Sequence, residues 1–311
     1  SGLSRIPGFQ RHYRWFLPLF PRAIEAFRLP PDTNLIISTS HCVAKGIRPP
    51  PRARHLCYSF TPMRHALALQ AEYFGRGGIK RTLLDVILKR LRRWDKAASS
   101  RVDHFVAISR HVQARIQKFY NRDSTVVYPP VATRYFTPDQ RGGHDGFDLV
   151  VSALVPYKRV DLAVQAYAQT GYPLKIAGAG TEKAALQKIA PPNVEFVGRV
   201  ADEDIRALYR RCRLLIFPGE EDFGIVPLEA QACGKPVVAY GRGGLLETVL
   251  AGQTGHFFTE HTPAALADAV AQPAAHTWDP ASIRRHAEQF SEARFLEGLR
   301  AEITRLMGSK P

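Results

Sequence analysis

Two glutamates flank a Phe-Gly turn in the segment Glu220-Glu221-Asp222-Phe223-Gly224-Ile225-Val226-Pro227-Leu228-Glu229-Ala230, with seven residues between Glu221 and Glu229. A strand candidate ends just before them at Phe217-Pro218. A carboxylate in the loop after such a strand faces the crevice where open α/β sheets bind ligands. One placed about two helical turns further on can point at the same crevice. Carboxylates accept strongly from the paired hydroxyls of a sugar or ribose. Gly224 and the free N–H groups of the helix start beyond it can approach an anionic diphosphate closely. As bare spacing the motif says little; the order strand, turn, helix gives it meaning.

The elements that must position these residues are legible from residue 147 onward. Apolar runs short enough for buried strands (Phe147 to Leu154, Leu174 to Ala177, Val194 to Val197, Leu214 to Phe217, Pro236 to Tyr240) alternate with stretches of helical period from Val160, Glu182, Glu203, Ile225, Leu245 and Ala264. This is the pattern of βαβ units on a parallel sheet. Thr181, Asp202, Thr262-Pro263 and Asp279-Pro280 place capping oxygens and first-turn prolines at the helix starts.

The first half is less regular but of the same kind, with strand candidates at Leu35 to Ser38, His55 to Phe60, His104 to Ile108 and Thr125 to Tyr128. Pro129, Pro130 and the glycine-bearing stretch from Thr137 to Gly146 read as an interdomain linker. The expected domains are therefore 1–140 and 141–311, the latter ending in helices between Ala281 and Leu306 that cross back to the first domain. The chain opens Ser1-Gly2 without methionine, and no strand with a glycine-rich turn precedes Leu35. If Ser1-Gly2 is a scar, the opening βα units of the first domain are missing.

A length of 311 residues suits two domains, and 45 % hydrophobic with 23 % charged residues excludes wholesale disorder, collagen and coiled coil. No run approaches the roughly 20 apolar residues that a membrane-crossing helix needs. Cys42, Cys57, Cys212 and Cys233 lie far apart without metal-ligand spacing, as expected of free thiols in a reducing cytosol. The net charge of +15 is uneven: residues 1–140 carry 24 Lys+Arg against 8 Asp+Glu, and the other 171 carry 19 against 20. The surplus belongs to the first half, which predicts that one domain meets an anionic partner and the other does not.

Residues 147–250 resemble the donor-binding domain of the retaining GT-B glycosyltransferases of family four, which include bacterial mannosyltransferases of surface polysaccharides. Besides the two-glutamate segment, the resemblance rests on Val151-Ser152-Ala153-Leu154-Val155-Pro156-Tyr157-Lys158-Arg159-Val160-Asp161, Ala177-Gly178-Ala179-Gly180, Val194-Glu195-Phe196-Val197-Gly198 and Gly241-Arg242-Gly243-Gly244, in that order. It implies that Lys158 and Arg159 neutralise the donor diphosphate, as a departing diphosphate requires. It implies likewise that Glu221 holds sugar hydroxyls and Glu229 the nucleotide ribose. Gly198, Arg199 and Val200 would meet the base, and Gly178 and Gly180 would let the chain approach the ligand. Phe223, Gly224, Ile225 and Val226 complete the expected donor site. Alone, Lys158-Arg159 would read as a solvated pair at a helix start.

In the first half, His55-Leu56-Cys57-Tyr58-Ser59-Phe60-Thr61-Pro62-Met63-Arg64 resembles the family's strand and turn over the acceptor. The family commonly has a histidine before Thr-Pro, where this sequence has Phe60. Its arginine five positions before the lysine is replaced by Ala153, for which Arg159 can stand in. His41 and Arg64 are the acceptor-side candidates, with a structural role for His41 the equal alternative. The segment Arg76 to Arg101 holds nine Lys+Arg and two acids, with Ile79, Leu83, Ile87, Leu91 and Trp94 on one face. Such a helix can lie on an anionic membrane or pack on its own domain. Tyr13, Trp15, Phe16, Phe20 and Phe27, interleaved with arginines, suit helical packing better than nucleic-acid stacking.

The sequence thus predicts an α/β chain of two Rossmann-like domains facing a cleft, the GT-B arrangement, with the first domain incomplete if its start is missing. The expected reaction moves a hexose, mannose from GDP-mannose ahead of a UDP-sugar, to a saccharide or lipid-linked acceptor with retention. The expected place is the cytoplasm, at the inner face of the membrane. The alternative is a noncatalytic nucleotide-sugar-binding subunit. No metal or other cofactor is expected, because Lys158 and Arg159 supply the positive charge and no DxD pair occupies the site region.

Overall fold

Ten strands of the described residues form two parallel sheets, one of order β1-β2-β3-β4 and one of order β10-β9-β8-β5-β6-β7. The computed structural model describes residues 13–63, 79–271 and 278–308. The chain divides into two units, Ser1–Val127 with Gly298–Pro311, and Tyr128–Glu297. Each has a Rossmann-like parallel sheet, as the alternating runs predict.

In the first unit β1 (Leu35–Ser40), β2 (Arg54–Ser59), β3 (His104–Ala107) and β4 (Ser124–Val126) follow one another across the sheet. Strand β2 is buried on both faces, whereas β1 alternates, leaving Ile37 45 % exposed at the edge. The helix Arg110–Tyr120 opens on Ser109, whose Oγ accepts from the Val112 N–H at 3.0 Å. The basic helix Ile79–Ala98 packs Leu88 and Leu91 against Leu17 and Met63, with Trp94 against the same cluster. The Trp94 Nε1–H donates to Glu25 at 2.7 Å. At Ile87, Leu88, Leu91 and Trp94 the apolar face packs on its own unit, the second of the two expected alternatives. The same packing absorbs Phe20 and Leu17 of the aromatic N-terminal segment, the arrangement preferred over nucleic-acid stacking.

The second unit contains β5 (Asp148–Val151), β6 (Leu174–Ala177), β7 (Val194–Gly198), β8 (Leu215–Phe217), β9 (Val237–Tyr240) and β10 (Gly255–Phe258). Its order is that of the doubly wound dinucleotide fold, with the reversal between β5 and β8. Strand β5 is anchored by Asp148, fully buried, which accepts from Tyr167 Oη at 2.5 Å and from Arg213 Nε at 2.9 Å and Nη2 at 2.6 Å. Buried carboxylates persist only when paired and hydrogen-bonded in this way. Strand β10 is the element the sequence reading lacks: it opens on a glycine and a histidine and holds no long apolar run.

The units divide at Val127/Tyr128, earlier than the expected boundary at 140. The start of the expected linker and the residue before it are fastened to the second unit: Arg210 donates to the Thr137 carbonyl at 2.7 Å and Arg284 to the Phe136 carbonyl at 3.0 Å. The Val131 N–H reaches Phe290 O at 2.9 Å. The C-terminal helix Glu292–Gly308 changes unit at Gly298, and Glu302 accepts from His104 of the first sheet at 2.8 Å. Of four expected caps, two form: Thr262 Oγ1 accepts from the Ala265 N–H at 3.3 Å and Asp279 Oδ1 from the Ala281 N–H at 3.0 Å. Thr181 and Asp202 do not cap. The helix Asp202–Arg211 instead places Asp202, Glu203 and Asp204 in its first turn, where they meet the positive end of its dipole.

Candidate active site

The loops that leave β5 and β8 meet at the reversal in strand order, and each brings one charged side chain. Lys158 ends a short 3₁₀ turn, Pro156–Lys158, after β5; Glu221 lies four residues after β8. Lys158 Nζ donates to Glu221 Oε1, with the two side chains 17 % and 18 % exposed. The ammonium also lies 5.3 Å from the Tyr157 ring centroid and 5.7 Å from that of Phe217. The approach is close because Gly219 presses on the Lys158 backbone: a Cβ there would stand 3.0 Å from Lys158 Cα. Glu221 is held from the other side by the loop after β9, since its carbonyl accepts from the Gly244 N–H at 2.8 Å.

Arg159 follows in the left-handed region, φ 51° and ψ 38°, a conformation costing a non-glycine residue about 1–2 kcal/mol. Its guanidinium grips Asp161 with Nε at 3.0 Å and Nη2 at 3.0 Å. Nη1 lies 3.2 Å from His261 Nδ1. Both expected cations therefore carry an acidic partner.

On the other side of β5 the strand ends form an open cavity of about 370 Å³, lined by Val151 to Ala153, Ala177 to Ala179, Arg199, Val200, Ile205 and Val226. That volume lies in the range of small-ligand sites. Its wall at Gly178 is backbone, with φ 147° and a would-be Cβ only 1.8 Å from the Ser152 carbonyl oxygen. The Gly178 N–H continues to Gly198 O at 2.7 Å. Gly180 lies in the following turn, equally tight against the Leu154 carbonyl.

Two helices flank this cavity in register. Ile205 of Asp202–Arg211 and Val226 of Ile225–Ala232 line it. One turn further along each, on the same face, Tyr209 Oη donates to Glu229 Oε2 at 2.9 Å. Burial pushes the Glu229 carboxyl up and Asp202 adds to this, while the tyrosine bond opposes it. Tyr209 is fully buried.

The structure thus brings Gly178, Arg199, Val200 and Val226 to one cavity, with Glu229 one turn from it, and pairs Lys158 with Glu221 at the strand reversal. Gly224 takes a positive φ of 102° before the helix, and Ile225 is 43 % exposed. Phe223 departs from its expected role. Its ring is 3 % exposed and packs against Tyr128 and Phe290 at 5.7 and 5.8 Å between centroids. An apolar ring finds more contact there than at a ligand edge, so this residue supports the turn from within. In the first unit His41 lies exposed after β1, and Phe60 is 37 % exposed, edge-on to Tyr58. Arg64 lies outside the described residues. The described cysteines are free, and burial raises the Cys57 thiol to about 11 and that of Cys233 to about 12. Among the described residues no group of three or more His, Cys, Asp or Glu could hold a metal ion, and no helix is long and apolar enough to cross a membrane.

Tyr209 and His261 escaped the sequence reading. Tyr209 had a usable signal, its four-residue spacing from Ile205 in an amphipathic helix; His261 follows the strand that was missed.

Residues 140–289 match the family described as Glycosyl transferases group 1. An uncharacterized glycosyltransferase of Methanocaldococcus jannaschii is 28 % identical over 173 residues, 54 % of this chain and 48 % of that protein. Alpha-1,3/1,6-mannosyltransferase alg-2 of Neurospora crassa is 37 % identical over 144 residues, 44 % of this chain and 30 % of that one. The chain therefore spans half or less of the length of these two relatives. In structure, the Anabaena HepE protein in complex with UDP superposes with a TM-score of 0.72 at 18 % identity, over 93 % of this chain and 82 % of that chain. The reversed strand order, the paired loops and the match of residues 140–289 to Glycosyl transferases group 1 agree, and the two Rossmann-like sheets have the fold of the HepE protein.

Proposed function

We propose that the chain catalyses, with retention, the transfer of a hexosyl group from a nucleoside diphosphate sugar to a saccharide or lipid-linked acceptor. The observation that carries this reading is the Lys158–Glu221 pair at the strand reversal, beside a cavity with the Gly178 backbone in its wall. In the reaction the acceptor oxygen bonds to the anomeric carbon as the bond from that carbon to the phosphate oxygen breaks. The acceptor proton passes to the departing diphosphate on the same face. Lys158 and Arg159 stabilise the charge that gathers on that diphosphate. Glu221 accepts from sugar hydroxyls, Glu229 from the ribose, and the base enters the cavity between Gly178 and Val200. Turnover needs no metal in this scheme, since the two cations supply the charge.

Mannose from GDP-mannose is the preferred donor, on likeness to bacterial mannosyltransferases and to the mannosyltransferase relative; a UDP-sugar is the competing one, since the HepE structure holds UDP. Surface polysaccharide synthesis at the inner face of the membrane fits the basic first unit, with Lys89, Arg90, Arg93 and Lys96 exposed on one helix. Calorimetry with GDP, UDP and their sugars, followed by transfer and hydrolysis assays with and without EDTA, tests this. GDP-mannose binding with turnover supports it, and absence of binding by any nucleotide sugar refutes it. A second reading is a noncatalytic nucleotide-sugar-binding subunit. Phe60, which cannot take a proton, and Ala153 in place of an arginine favour it. Tight binding without turnover, even with acceptor present, would select that reading.

A further inference from the structure

We infer that His261 is a positioning residue of this site: a neutral imidazole that gathers the ends of four neighbouring strands and fixes the orientation of Arg159. The inference rests on the reading above, in which Arg159 faces the donor diphosphate. His261 stands three residues past β10. Its ring lies flat on Tyr240, the last residue of β9, with centroids 4.1 Å apart and planes 6° from parallel. Nε2 is 2.9 Å from the carbonyl oxygen of Pro218, the first residue after β8. Nδ1 is 3.2 Å from Arg159 Nη1 in the loop after β5. These strands are contiguous in the sheet, in the order β10-β9-β8-β5.

The chemistry of the partners fixes the protonation of the ring. A guanidinium has donors only, so Nδ1 must accept; the single ring proton then sits on Nε2 and is donated to the Pro218 carbonyl. Both nitrogens are committed, and each to a loop that the proposed reaction uses. Asp161 already holds one edge of the Arg159 guanidinium, so the contact at Nη1 removes its remaining freedom to pivot. Pro218 lies three residues before Glu221, and the following Gly219 touches the Lys158 backbone. The ring therefore sets the start of the loop that carries the sugar-binding carboxylate.

The same geometry makes the clamp sensitive to acid. A second ring proton would fall on Nδ1, against an Arg159 N–H, and break that contact. The charged groups around the ring are Arg159 and Arg242, which oppose protonation, and Asp161, which favours it; burial and the two arginines outweigh Asp161 and the Pro218 carbonyl, and the histidine is held below its ordinary value. The contact is therefore intact at neutral pH and lost only on acidification beyond the ordinary imidazole range.

Two substitutions test this in the whole chain. His261→Phe keeps a flat ring against Tyr240 but removes both hydrogen bonds. His261→Gln offers one acceptor and one donor and does not titrate. The readouts are kcat/KM for the donor and the affinity for GDP and UDP by calorimetry, each from pH 5 to 8. The wild type should weaken toward the acid end of that range, His261→Phe should be about ten-fold weaker throughout and lack that acid limb, and His261→Gln should recover most of the loss while also lacking the limb. An acid limb that persists in both variants, or His261→Phe equal to wild type at pH 8, overturns the inference. Arg159→Ala separates it from the reading beneath: if that change leaves nucleotide affinity and transfer intact, Arg159 does not serve the diphosphate and the functional reading is at fault. A large loss in Arg159→Ala with no effect of His261→Phe condemns the clamp alone. If His261→Phe does not fold, the pH profile of His261→Gln decides.

Discussion

Each unit contains a lysine–carboxylate pair, and the two pairs could hardly be placed more differently. In the first, Lys45 donates to Asp95 with side chains 3 % and 1 % exposed. Asp95 also accepts from Tyr120 Oη at 2.7 Å, and Lys45 reaches the Cys42 carbonyl at 3.1 Å. That network is sealed, so its hydrogen bonds can only serve the fold. In the second, Lys158 and Glu221 are 17 % and 18 % exposed, in loops at strand ends, where a ligand can compete for both. Strand order explains the contrast. The order β1-β2-β3-β4 never reverses among the described residues, whereas β5 and β8 diverge and leave a crevice where charged loops meet without being buried.

Substitution should separate the two pairs most strongly. Glu221→Ala is expected to lower kcat/KM of transfer by about 1,000-fold, since it removes the grip on the reacting sugar, while costing about 1 kcal/mol or less in denaturant unfolding. Lys45→Met should do the reverse, costing about 3–5 kcal/mol by leaving Asp95 charged and buried, with activity per folded molecule unchanged. Comparable stability losses in the two variants would erase the distinction.

A smaller effect probes the buried side of the site. Tyr209→Phe deletes the bond to Glu229, worth about 1.5 kcal/mol or more for a charged acceptor. The donor KM should rise about ten-fold with kcat changed less than two-fold; a fall in kcat alone would contradict the ribose assignment. Glu229→Gln should weaken the donor similarly yet leave unfolding stability equal or higher. It removes a carboxylate whose pKa burial has raised and whose ionised form therefore opposes folding above the usual carboxylate range.

The smallest effect concerns acid and applies to both units alike. His55 in the first and His286 in the second are buried, and burial holds each below its ordinary value of 6.5. Such groups bind protons more readily when unfolded, so stability is present above pH 6.5 and declines as the pH falls below it, by up to about 1.4 kcal/mol per pH unit for each. Thermal unfolding between pH 5 and 8 checks the slope, and His286→Gln should flatten it by its share.

The second unit was legible because its central strands β5, β8 and β9 are short apolar runs buried almost throughout, and its turns carry glycines in sequence order. Local pattern could not show pairing. That Lys158 answers Glu221, or that Tyr209 answers Glu229, depends on loops brought together over 63 and 20 residues. Phe223 misled because an aromatic beside a glycine turn looks the same whether it faces ligand or core. The charge surplus pointed to an interaction surface, yet Leu88, Leu91 and Trp94 between those cations pack inward, which composition does not reveal. The boundary near 140 was misplaced because prolines and glycines mark turns as readily as linkers; only the arginines at 210 and 284 tell them apart.

Gly178 and Gly180 leave no room for a β-carbon, and this limits how the specificity of the domain can evolve or be engineered. At Gly178 the wall of the cavity is main chain, so a group docked at that point would meet peptide atoms rather than an interchangeable side chain. On the proposed reading, a change of nucleotide preference would be written in the larger side chains of the lining, Arg199, Val200, Ile205 and Val226. A library at those four positions would test that reading, whereas any side chain at Gly178 or Gly180 would collide with the backbone of Ser152 or Leu154.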